Sequence, residues 1–264
     1  MRFFKKKKIE QNPVTDANTP KEENVDMSFL EHLGDLRNKI IWSVVGLIIG
    51  CIIAGIFIEE IVKYILLNPA ITYGLKLQNL RPFGQPILYF KLVFIMGFIL
   101  SFPFMLYQLW RFIAPGLYQN ERNWARIITF FTTLCFLTGV AFAYFLMIPT
   151  MLNFAAHFGS TDIVNNIDIN EYLSFISMII LAAGLLFELP MVIYVLSRFG
   201  LLTPKTLRKY RRHSIILILI LAAILTPTPD PISQLVFAAP LFVLYEISIF
   251  IAKLGEKQYS RSLA

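Results

Sequence analysis

Charge is scarce in this chain. Asp, Glu, Lys and Arg make up 16% of its 264 residues while 56% are hydrophobic, and the mean hydropathy is +0.63. That balance excludes an ordinary soluble domain and fits a polytopic membrane protein. With most residues in apolar runs, no room is left for a second soluble domain. Cysteine is scarcer still: Cys51 and Cys135 fall in separate apolar runs, so no disulfide framework is indicated. The histidines, His32, His157 and His213, lack ligand-like spacing, which argues against a metal site. The apolar segments also lack a Ser/His pair, paired aspartates or an HExxH arrangement. Intramembrane proteolysis is therefore not expected, and no enzyme is read here. The basic stretch Arg2–Lys8 is followed by about thirty polar residues rather than an apolar core, so no secretory signal is expected.

What the chain has is apolar length. Six segments can be read: Ile40–Ile58, Ile87–Trp110, Ile127–Ile148, Tyr172–Leu196, Ile215–Leu225 and Ile232–Ala252. The net charge of +7 could suggest nucleic acid, but its placement argues against that partner. If the connections alternate between the two sides, the side holding the N-terminus collects 20 of the 24 Lys and Arg residues. The other side keeps only Lys63, Lys76, Arg81 and Lys91. The positive-inside rule then makes the first side cytoplasmic, with both termini inside. The expected class is an all-α polytopic membrane protein with six transmembrane helices. Residues 1–26 read as a disordered basic and polar cytoplasmic tail attracted to anionic lipid, 27–253 as the six-helix body, and 254–264 as a cytoplasmic C-terminal tail.

Several local features refine this picture. Ser28 and Glu31 have capping-box spacing, which predicts a short amphipathic helix in the interface before the first span. It puts Asp35 and Arg37 at headgroup depth; the bland alternative for Asp35 is an (i, i+4) pair with Lys39. Residues 59–86 form one exoplasmic connection, with Ile65–Leu77 partly helical, and 150–170 form the second. The third is a tight turn at Thr226-Pro-Thr-Pro-Asp230-Pro, where three prolines stop any helix. The fifth segment is short: eleven apolar residues reach about 17 Å against ~30 Å of hydrocarbon. Bilayer thinning or a covering partner must meet that mismatch. Most telling is Glu188, a carboxylate inside the fourth apolar run. An ionised side chain at bilayer depth costs ~2.5–3.5 kcal/mol on insertion scales, so such residues usually mark a functional site. A proton-coupled secondary transporter is the rival class, but no inverted repeat is visible.

Between the second and third segments Pro115-Gly116 supplies a turn, with Phe112, Tyr118 and Trp124 at interface depth. Glu121 is the acid of this loop, and alone it reads as a first-turn residue favouring the macrodipole of the next helix. Five motifs in order change that reading. They are Ser28-Phe-Leu-Glu-His-Leu-Gly-Asp-Leu-Arg37, Phe112-Ile-Ala-Pro-Gly-Leu-Tyr-x-x-Glu-Arg122, Ala141-Phe-Ala-Tyr-Phe145, Phe187-Glu-Leu-Pro190 and Leu225-Thr-Pro-Thr-Pro-Asp-Pro-Ile-Ser-Gln234. Over about residues 27–253 the chain closely resembles the TatC family, the polytopic receptor subunits of the twin-arginine protein translocase.

The resemblance implies a glove-like, concave arrangement with short fifth and sixth helices, in the cytoplasmic membrane, without a pore of its own. It implies that Glu121 and Asp35 face the arginine pair of a signal peptide on folded cargo, with Arg37 and Phe112 lining the same surface. Many family members carry Glu where this chain has Asp35, whose shorter side chain holds its arginine more loosely. Glu188 matches the family's intramembrane acid. Thr226 and Gln234 match a polar cluster where single-span TatA/TatB-type partners dock, and Pro69 and Asp230 match exoplasmic positions important in the family. Glu246, in the sixth segment, reads as structural. Further implications are homo-oligomers within a receptor complex, drive from the proton-motive force, and no bound cofactor. The chemistry is consistent with this, since a guanidinium is a planar fork that binds carboxylate bidentately and lysine cannot reproduce it. Charge-assisted bonds contribute roughly 1.5–3 kcal/mol each, whereas micromolar binding needs about 8 kcal/mol. The apolar part of the signal must supply the remainder.

Overall fold

The computed structural model describes residues 29–113, 122–157, 166–225 and 231–262. Helix α1 (Phe29–Ile56) is unbroken over 28 residues. The expected interfacial helix is therefore the first turns of the first apolar helix. No proline separates them, and a single Gly34 costs only ~1 kcal/mol, too little to break a helix that long. Ser28, the residue expected to cap it, lies outside the described residues. Next come α2 (Ile58–Glu60), a π-helical stretch at Ile61–Leu66, α3 (Asn68–Thr72) and the short strand β1 (Lys76–Gln78). Helix α4 (Gly84–Ile113) returns across the bundle. The third rod is continuous through α5 (Arg122–Phe142), a second π-helical stretch at Ala143–Met147 and α6 (Ile148–His157). The strand β2 (Asn166–Asp168) leads into α7 (Ile169–Leu186) and α8 (Leu189–Arg198). Helices α9 (Pro204–Lys209), α10 (Arg211–Leu225) and α11 (Pro231–Ser262) complete the chain.

Among the described residues, five helical stretches are long and apolar enough to cross a membrane: Leu33–Ile56, Gly84–Ile113, Arg126–Phe154, Ile169–Arg198 and Gln234–Lys257. They coincide with five of the six segments read from the sequence. Helix α10, with 15 residues, rises about 22 Å at 1.5 Å per residue, so the fifth segment is as short as expected. The sixth is not. Helix α11 runs for 32 residues, because beyond Ala252 good helix formers such as Lys253, Leu254, Glu256, Lys257 and Gln258 extend it past the apolar stretch. Up to Ser262, residues expected to be a tail are helix.

Close helix packing rests on small residues, as it must where apolar side chains are equally well solvated by lipid. At the α1–α4 crossing a Cβ on Gly50 would stand 2.5 Å from the Gly97 carbonyl, and one on Gly97 would stand 2.6 Å from Cys51 Sγ. The core between the rods centres on Leu66, Leu92, Ile148, Leu173, Ile176 and Phe237. A second cluster joins Phe102, Trp110, Phe136, Met191 and Val195, with the Phe102 and Phe136 rings stacked at 3.9 Å. The outer faces are apolar too: Ile52, Ile56, Phe90 and Phe94 are more than half exposed, the inverse of a soluble surface and suited to lipid.

One end of the bundle is fastened by the strands. β1 pairs with β2 in parallel, Leu77 opposite Ile167. Asp168 caps α7 by accepting from the Asn170 backbone N–H at 3.0 Å and from its side-chain amide at 2.8 Å. Arg81 lies 3.5 Å from Asp168 and 3.3 Å from Glu171. The Asn170 backbone N–H, with Arg81 also contributing, holds the Asp168 carboxyl below the usual carboxylate range.

Candidate functional site

Asp35 and Arg37 sit two turns into α1, Asp35 half-buried and Arg37 exposed. Their level in the bundle follows from the antiparallel crossing with α4, where Gly46 meets the Phe104 ring, Gly50 meets Gly97 and Gly55 lies near Val93. Nine residues back from Gly46 along α1 is Arg37, and nine residues on from Phe104 along α4 is Ile113. The register thus brings Asp35 and Arg37 level with the last turn of α4, which holds half-buried Phe112. Among the described residues Asp35 has no ion-pair partner, and the pair with Lys39 is not formed. Glu121 lies outside the described residues, in sequence directly before the first residue of α5.

Glu188 stands where the fourth apolar rod breaks. Pro190 has no N–H to give the Leu186 carbonyl and its ring crowds that turn, so α7 ends and α8 begins after a gap of two residues, Phe187 and Glu188. The break tightens into a turn: Glu188 N–H donates to the Leu185 carbonyl at 3.2 Å, and the Glu188 carbonyl accepts from Met191 and Val192 at 3.0 Å. The side chain is 8% exposed, and its Oε1 has no hydrogen-bond partner. A buried acid with an unused oxygen can receive a donor from outside the chain, or hold a proton itself.

Pro69 is buried at the start of α3. Its missing N–H frees the Ile65 carbonyl, which accepts from Tyr144 Oη at 3.1 Å. The adjacent Leu66 carbonyl accepts from Tyr172 Oη at 3.0 Å. The tyrosine of the Ala141–Phe145 motif thus completes a turn that proline leaves open. Gln234 donates from Nε2 to the Leu219 carbonyl at 3.1 Å, tying α11 to α10. Thr226 and Asp230 lie outside the described residues. Glu246 pairs with Arg211 at 2.5 Å, in keeping with a structural role. The Arg81 cluster and the strand pair were not read from the sequence; three-residue strands carry too little alternation to be seen.

Helices of membrane-spanning length with lipid-compatible surfaces, one of them interrupted beside a buried carboxylate, define a polytopic α-helical membrane protein. The family model described as Sec-independent protein translocase protein (TatC) matches residues 31–240. The Sec-independent protein translocase protein TatC of Carboxydothermus hydrogenoformans is 38% identical over 239 residues, covering 90% of this chain and 98% of that protein. The TatC of Blattabacterium sp. subsp. Periplaneta americana is 37% identical over 259 residues, covering 88% and 97%. Among solved structures, the crystal structure of the twin-arginine translocase receptor TatC superposes with a TM-score of 0.76 at 35% identity, covering 85% of this chain and 99% of that one. The chain belongs to the TatC family of Sec-independent protein translocase proteins.

Proposed function

We propose that this chain is the receptor component of a twin-arginine translocation system, binding the signal peptides of folded proteins and nucleating assembly of the export machinery. The level of Asp35 and Arg37 with Phe112 at one end of the α1–α4 pair carries this reading, because Glu121 follows Phe112 by only nine residues. Two acids from different parts of the chain then grip neighbouring guanidinium groups, with Phe112 and Arg37 lining the surface. At headgroup depth the lower dielectric strengthens each pair relative to water. The signal's apolar segment lies along the bundle towards Glu188, whose unused oxygen receives a polar contact from a partner helix. Thr226 and Gln234 form the docking point for single-span TatA/TatB-type subunits, while Pro69 and Asp230 hold the opposite face.

The topology proposed with it is six crossings in the cytoplasmic membrane, with residues 1–26 and both termini on the cytoplasmic side. The fold is concave, the 27–253 body assembles with further copies of itself, and the proton-motive force drives transport without a cofactor. The test is photocrosslinking of a twin-arginine signal peptide to membranes carrying the variants. Glu121→Gln is expected to abolish capture while membrane insertion persists, and Asp35→Asn to weaken it less. Undiminished crosslinks in Glu121→Gln refute the assignment.

A further inference from the structure

We propose that the cleft between α9–α10 and α11 binds the phosphate headgroup of an anionic phospholipid, held by Arg208, Arg211 and Lys253. The cleft encloses about 520 Å³ and is lined by these three cations with Glu246, Ile249 and Phe250. The cations come from three elements: Arg208 from α9, Arg211 from the first turn of α10, and Lys253 from the far half of α11. Glu246, the acid of the lining, is engaged by Arg211. Arg208 and Lys253 have no ion-pair partner among the described residues. Two positive charges therefore converge uncompensated on a concave surface, the complement of a phosphodiester with an additional anionic group.

The surroundings identify the rest of the ligand. Val243, Ile247, Phe250 and Leu254 recur along one face of α11 at helical spacing, and each is at least 44% exposed. This stripe passes the cleft through Phe250, so a headgroup held by the cations places its acyl chains along the stripe. A free phosphate would fill the charge and leave the stripe bare. The short α10 adds a reason for the site. Its end must meet the bilayer surface at Arg211, and basic residues between transmembrane helices at that depth recognise anionic headgroups. The inference requires a membrane-embedded chain but is independent of signal-peptide binding, so either can fail alone.

The test uses the full chain in phosphatidylcholine nanodiscs, titrated with phosphatidylglycerol and read by native mass spectrometry. Saturable binding of phosphatidylglycerol is expected, without equivalent retention of added phosphatidylcholine. Each cation removed should weaken it roughly five-fold, so Arg208→Gln with Lys253→Gln should weaken it about 30-fold. This double variant leaves the Arg211–Glu246 pair intact, and an unchanged melting temperature in phosphatidylcholine would show that the fold survives. Should it not, Arg208→Gln alone must give the intermediate loss. Lys205→Gln with Lys209→Gln removes the same charge outside the cleft and should change binding by less than about two-fold. Equal losses in the two double variants would reduce the effect to diffuse surface charge and overturn the site. Equally tight binding of soluble glycerol 3-phosphate would overturn the lipid and leave a free-anion site.

Discussion

Replacing Gly97 by alanine tests whether the α1–α4 crossing holds the proposed binding surface in register. The new methyl would meet Cys51 Sγ, Cα and N at 2.6, 2.7 and 2.7 Å. Ordinary contact lies near 3.5–4.0 Å, so the helices must part by about 1 Å. Two of the three atoms are backbone and cannot rotate aside, which puts the cost near the upper end of the ~1–3 kcal/mol typical of overpacking. The better helix propensity of alanine returns ~0.5–1 kcal/mol. The net loss is about 2 kcal/mol, or roughly thirty-fold in the folding equilibrium. Reversible unfolding in mixed micelles measures it directly. Gly55→Ala is the control on the same interface: the nearest atom to its methyl is Val93 Cγ1 at 3.9 Å, so stability should hold or rise. Because α1 is continuous to Asp35, a displaced crossing also moves that carboxylate relative to Phe112, and capture of signal peptide should fall with stability. Gly97→Ala at or above wild-type stability would refute the packing argument.

Tyr172→Phe leaves the Leu66 carbonyl without its donor inside the core, which should cost ~1–3 kcal/mol in the same unfolding assay. Tyr144→Phe, at a more exposed bond, should cost ~0.5–1.5 kcal/mol. The Asp168 carboxyl titrates below its ordinary value of 3.8 when folded, so its ionised form favours the folded state. That stability is complete above the unfolded value and disappears as pH falls through the lower folded one. Hydrogen exchange at Asn166–Asp168 should therefore accelerate only below about pH 4, and Asp168→Asn should remove this acid step. Glu188→Ala should leave signal-peptide crosslinking largely intact but slow transport of a folded twin-arginine precursor into inverted vesicles. Transport at the wild-type rate would remove Glu188 from the mechanism.

Most of the fold was legible because membrane spans declare themselves by apolar length, and the segments at Ile87–Trp110, Ile127–Ile148 and Tyr172–Leu196 all fall within single helical rods. The break at Phe187–Glu188 was not read, although Pro190 carries its physical cause. Helix ends were less legible, since apolarity reports where lipid begins and not where hydrogen bonding stops. That is why α1 lacks the expected junction and α11 outruns its apolar stretch. Contacts between distant positions left no trace: nothing near Arg211 points to Glu246, and nothing near Lys76 points to Asn166. For the site, Glu188 could be singled out as an acid within an apolar run and Asp35 through the motif that carries the family resemblance, whereas the alignment of Asp35 with Phe112 needed the glycine register of two packed helices.

Synthesis runs from the N-terminus, so β1 leaves the ribosome about ninety residues before the strand it pairs with. At ~5–20 residues per second the wait is roughly 5–20 s. Once α4 has followed, α1 and α4 can already cross, while the segment at Lys76–Gln78 still has unpaired backbone and Arg81 has neither of its carboxylates. Maturation of this end of the protein is thus tied to emergence of α7. A nascent chain halted before Asn166 should be cleaved by added protease near Gln78, and one released beyond Glu171 should resist.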